Sequence, residues 1–76
     1  MYHSITFHVD VIVDVEISPS NWLERLLIFR GTHVEAQIKP YVVDTVDGPV
    51  EVADLFFMDG TATRGVPFAF FSFVDE

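Results

Sequence analysis

Trp22-Leu23-Glu24-Arg25-Leu26-Leu27-Ile28-Phe29-Arg30-Gly31 decides the fold, because no other stretch of the chain reads as a helix. At 100° per residue, Phe29, Trp22, Leu26, Leu23 and Leu27 cover one continuous arc, with Glu24, Arg25 and Ile28 outside it. Ser18 followed by Pro19, or Asn21 with Glu24 three residues on, supplies an N-terminal cap. Gly31 supplies the left-handed residue that closes a helix. The spacing predicts a helix over Trp22 to Arg30 with one face on the core and Ile28 looking outward.

The segments around it read as strands. From Ile5 to Ile17 every odd position is apolar, and among the even positions only Ile12 breaks the polar pattern. Strict period-2 alternation predicts a strand with one buried face, long enough to bend or bulge. His33 to Val43 alternates likewise, and Pro40 marks it as an edge strand or a bulge. Asp47-Gly48 is a hairpin dipeptide. Val50 to Met58 forms a third strand, Asp59 to Gly65 a loop, and Val66 to Val74 a fourth strand, apolar at both parities.

These elements predict a single small domain over residues 1–76, an α+β two-layer sandwich in the order β-α-β-β-β. One helix lies on a four-stranded, mainly antiparallel sheet, with the third and fourth strands central and the first and second at the edges. One short helix covers only one face of that sheet, yet the last strand carries Phe68 and Phe70 on one side and Phe71 and Phe73 on the other. A second copy is expected on the uncovered face, a homodimer with Phe71 and Phe73 at its interface.

Composition narrows the function. The chain has 76 residues, half of them hydrophobic, with twelve acidic residues against four basic ones and a net charge of −8. That charge repels phosphate backbones, which argues against direct nucleic-acid binding. The length excludes a dinucleotide-binding domain or a TIM barrel. With no cysteine there is neither a disulfide framework nor a thiolate metal site. No leader or membrane-length apolar run is visible, so a cytoplasmic protein without membrane contact is the expectation.

Candidate chemistry is sparse. His8, Asp10, Asp14 and Glu16 share one strand face but lack a diagnostic metal-ligand spacing. Phe57-Met58-Asp59-Gly60-Thr61 is similar to the Asp-x-Asp-Gly-Thr motif of haloacid-dehalogenase phosphatases, with Phe57 where that family has its nucleophilic aspartate. It reads as a turn built on Asp59-Gly60. Asp44 and Asp47 are a carboxylate pair beside the hairpin. No catalytic set, cofactor site or metal site emerges, and an enzyme is not expected.

The acidic surface is the strongest hint. Asp10, Asp14 and Glu16 run along the first strand, and Asp44, Asp47, Glu51 and Asp54 cluster around the hairpin. Such a surface suits the basic face of another protein. In size and charge the chain resembles small phage and mobile-element inhibitors and toxin-neutralising immunity proteins, which implies an inhibitory protein-binding module. The alternative is a homo-oligomeric accessory subunit associating through its apolar sheet face, with a small interface enzyme a third reading.

Overall fold

The computed structural model describes residues 1–17 and 22–74, and the stretch that reads as a helix is a strand. The chain forms β1 (His3–Phe7), β2 (Val11–Ile17), β3 (Trp22–Ile28), β4 (His33–Thr45), β5 (Gly48–Phe57), β6 (Thr61–Pro67) and β7 (Phe71–Phe73). All pair antiparallel in one sheet of order β3-β2-β6-β5-β4-β1-β7. The α+β sandwich is therefore wrong: the fold is all-β, and the single helical turn among the described residues is a 3-10 turn at Phe68–Phe70. The expected caps at Ser18, Pro19 and Asn21 lie outside the described residues.

Burial shows why the helical reading fails. Ile28, which a helix would expose, is 6% exposed, whereas Leu23, Leu26, Leu27 and Phe29 of the supposed core arc are all exposed. β3 is ordered by its partner: an unbroken ladder runs from Val11↔Ile28 to Ile17↔Trp22 along β2. A nine-residue helix is marginal on its own, and local propensity yields to such tertiary pairing.

The long alternating segment is two strands. β1 and β2 are joined only by His8–Asp10, yet they stand sixth and second in the sheet order. In a flat sheet those positions are ~19 Å apart, while the four backbone steps from Phe7 to Val11 reach at most ~14 Å. The connection thus forces the sheet to curl into a half-barrel. At the break, the Phe7 N–H donates to the Thr32 carbonyl at 3.0 Å and the Gly31 N–H to the Phe7 carbonyl at 2.7 Å. Asp10 Oδ1 accepts the Arg30 N–H at 2.7 Å. The β2–β3 ladder consequently runs on, after this interruption, into the pairing of β1 with β4 from Thr6↔His33 to His3↔Ala36.

Curling lets one sheet cover its own inner face. Ile5, Phe7, Val15, Ile28, Leu55, Val66 and Phe71 meet in a single buried cluster to which every strand contributes, β4 through Ala36. No second layer is needed, which removes the premise that a helix leaves half the sheet bare. The apolar run Val66 to Val74 is not one strand: β6 ends at Pro67, the chain turns through Phe68–Phe70, and β7 pairs with β1. The terminal strands are β3 and β7, not the first and second strands of the sequence reading. Pro40 lies in β4 beyond the reach of β1, which pairs only with residues 33–36, so its missing N–H breaks no ladder there.

Candidate functional site

Leu55↔Thr63 and Ala53↔Val66 leave Arg64 and Gly65 of β6 opposite the single residue Asp54, a β-bulge. Gly65 takes φ +70°, a left-handed conformation natural to glycine. Its N–H donates to Asp54 Oδ1 at 3.0 Å, beside the Tyr41 hydroxyl at 2.9 Å. Arg64 Nη1 donates to Asp54 Oδ2 at 3.1 Å, and its Nε and Nη2 hold the two Glu16 oxygens at 2.7 and 3.3 Å. The guanidinium also lies 5.5 Å from the Phe56 ring centroid. One arginine thus ties β2 to β5 across the bulge.

The electrostatics follow from these contacts. Burial pushes the Asp54 carboxyl up, but hydrogen bonds from Tyr41, Gly65 and Arg64 outweigh it and hold the group below the ordinary aspartate value. The hydrogen bond to Asp54 raises the Tyr41 hydroxyl, and the one to Glu16 raises Arg64. Both acids of the pair move away from neutrality, which suits a fixed charge network and not proton transfer near pH 7.

The seven candidate carboxylates therefore separate. Asp54 is 7% exposed, inside the sheet and not on a docking surface. Glu16 belongs to Arg64, Asp14 lies 3.7 Å from Arg25, and Asp10 holds the Arg30 N–H. Asp44, Asp47 and Glu51 stand apart, exposed and without an ion pair among the described residues.

Those three sit on an arm. β4 and β5 pair from Tyr41↔Val52 to Thr45↔Gly48, beyond the last β5–β6 pair at Val52↔Pro67. The loop residues are Val46 and Asp47, one position earlier than the Asp47-Gly48 dipeptide suggests. Thr45 pins them, accepting the Asp47 N–H at 3.2 Å and donating to the Gly48 carbonyl at 2.7 Å. Strand alternation puts Asp44, Glu51 and Val42 on one face of the arm, Asp47 at its tip, and Lys39 on the other face.

The expected interface pair is also divided. Phe71 is 4% exposed, packed 6.0 Å from Phe7 and 5.1 Å from Phe68 between ring centroids. It serves the monomer's own core. Phe73 remains largely exposed, edge-on to His3 at 5.4 Å. At the other rim, β3 exposes Leu23, Leu26 and Leu27, with Phe29 following. A groove of about 480 Å³ opens there between Leu26, Phe29, Val34, Phe57 and Met58. This surface escapes a helical reading, which buries its leucines; reading Trp22 to Ile28 at period two puts Leu23 and Leu27 on the face opposite Ile28 but leaves Leu26 on the same face as Ile28.

Asp59-Gly60 forms the expected turn, with Asp59 Oδ1 accepting from the Thr61 N–H at 2.9 Å and hydroxyl at 2.6 Å. Among the described residues no group of three or more His, Asp or Glu is placed to hold a metal ion, and no helix is long and apolar enough to cross a membrane. No protein-family model, curated protein or solved structure matches this chain.

Proposed function

We propose that this chain is a small acidic protein-binding module whose β4–β5 arm docks on a basic surface of a partner protein, inhibiting it by occupancy. The supporting observation is the segregation of charge. The other candidate carboxylates each have an intramolecular partner, Asp14 only an exposed Arg25 at 3.7 Å, while Asp44, Asp47 and Glu51 project on an exposed hairpin with no ion-pair partner among the described residues. A two-stranded arm without a third strand is marginally stable alone and gains from a surface to lie on. Its acidic face steers and orients such an encounter, and the flanking Val42 and Val46 add apolar contact.

The test starts from a partner recovered by affinity capture in the native host and then purified. Affinity should fall with ionic strength, and the Asp44→Asn/Asp47→Asn/Glu51→Gln variant should bind roughly tenfold or more weakly. Equal affinity of the wild type and this variant would discard the arm as the docking surface.

A further inference from the structure

We infer that two copies of this chain join through β3, pairing antiparallel about a two-fold axis at Leu27 and extending the sheet across both protomers. Among the described residues the sheet ends at β3, whose seven residues pair only with β2. Its far side presents a row of backbone donors and acceptors with no ladder partner among the described residues, and no proline, bulge or short length blunts it. β7, the opposite end, is three residues long.

Side chains along β3 fit a second strand. Leu23 is 59% exposed and Leu27 46% on one face, and Leu26 is 50% exposed on the other, so both faces lack cover on the same side. An added strand covers both at once, whereas a partner lying on one sheet face does not. About an axis at Leu27, Leu26 to Ile28 of β3 pair with the same three residues of the other copy, and Arg25 and Glu24 face the residues that follow its β3.

Charge identifies the occupant as a second copy. The protein carries −8 overall, but β3 and the turn after it hold Glu24, Arg25 and Arg30, two of its four cations against one carboxylate. Here two copies meet without setting carboxylates against each other, and the acidic arm lies strands away in the sheet order. A register centred on Arg25 opposes Arg25 to its own copy, a like-charge pair that is destabilising. Centring on Leu27 instead places Leu27 against the partner's Leu27 and Leu26 against the partner's Ile28, and brings Glu24 alongside the turn after β3 that carries the partner's Arg30. Arg25 then lies opposite the partner's Phe29. Asp10, by accepting the Arg30 N–H, fixes where that side chain leaves the backbone.

Sedimentation equilibrium over ~1–100 μM should give a species of twice 8.6 kDa that persists in ~1 M NaCl. Because the chain has no cysteine, Leu27→Cys with oxidised glutathione as oxidant should cross-link the dimer rapidly, and Arg25→Cys should not. Glu24→Arg and Arg30→Glu should each weaken association, and the double exchange should restore it. The arm variant should still dimerise, which keeps this test independent of the partner-binding one. A monomer throughout the range, cross-linking of Arg25→Cys as fast as of Leu27→Cys, or no rescue by the double exchange overturns the proposal. A monomer that instead takes up an extended peptide along β3 overturns the second copy as its occupant.

Discussion

Asp54 and Asp44 lie ten positions apart in one sequence, on paired strands, and do opposite things. Asp54 sits opposite a bulge, accepts from Tyr41, Gly65 and Arg64, and is almost wholly buried. Asp44 stands on the arm facing water, with Glu51 on the same face. The difference comes from where the sheet's other strands stop. β6 reaches Asp54 and brings Arg64 with it, but its pairing with β5 ends at Val52. A carboxylate with a neighbouring strand becomes structure; one beyond the last strand remains surface charge.

The largest effect expected from breaking this contrast is at Asp54. Asp54→Leu strips acceptors from three donors at once and leaves Arg64 facing only Glu16. Loss of a buried, multiply bonded carboxylate costs ~2–4 kcal/mol, a large part of what a domain this small has. Urea unfolding measures it, and a loss under ~1 kcal/mol would show that the bulge holds without its carboxylate.

Acid should sharpen the contrast. A carboxyl whose folded value lies below its unfolded one contributes stability above the unfolded value, and this is lost as pH falls through the folded value. Asp54 behaves so, and Asp59, held low by the Thr61 hydroxyl and N–H, adds to the same limb. Stability should decline on acidification below about pH 4, less steeply in Asp54→Asn. At the alkaline end Tyr41, raised by Asp54, contributes stability that is lost above about pH 10. Equal acid limbs in the two proteins would remove Asp54 from the account.

The smallest effect belongs to the arm. Asp44→Asn/Asp47→Asn/Glu51→Gln should leave the unfolding free energy within ~0.5 kcal/mol of wild type, with any change toward higher stability as like charges are removed. A loss beyond ~1 kcal/mol would mean that these carboxylates hold the hairpin together.

Alternation from Ile5 to Ile17 marks the buried positions Ile5, Phe7, Val13 and Val15, and β4 and β5 fall close to their expected bounds. The break at His8–Asp10 is invisible in that pattern, because a bend between strands need not disturb the alternation of apolar residues. β3 reads as a helix because Leu23, Leu26 and Leu27 fall on one helical arc, whereas a strand divides them between its two faces. The deciding partner, β2, acts through a ladder that local spacing does not contain. Proline at 67 was the readable sign that the final apolar run divides. Glu16 and Asp54 looked like surface charges because their common cation, Arg64, is 48 and 10 residues away in the chain.

The hop made by His8–Asp10 also governs how the molecule comes together. β1 joins β7 through Ile5↔Phe73, and β2 joins β6 through Val15↔Thr63. Few of the contacts that close the curl can form early, and each requires a long loop to be drawn in first. Pairing of such high contact order belongs to the millisecond-to-second regime of folding, not the microseconds of helical bundles. The β2–β3, β4–β5 and β5–β6 hairpins are the local elements able to form ahead of closure, and β4–β5, with ten paired positions, is the longest seed on which the remaining strands can assemble.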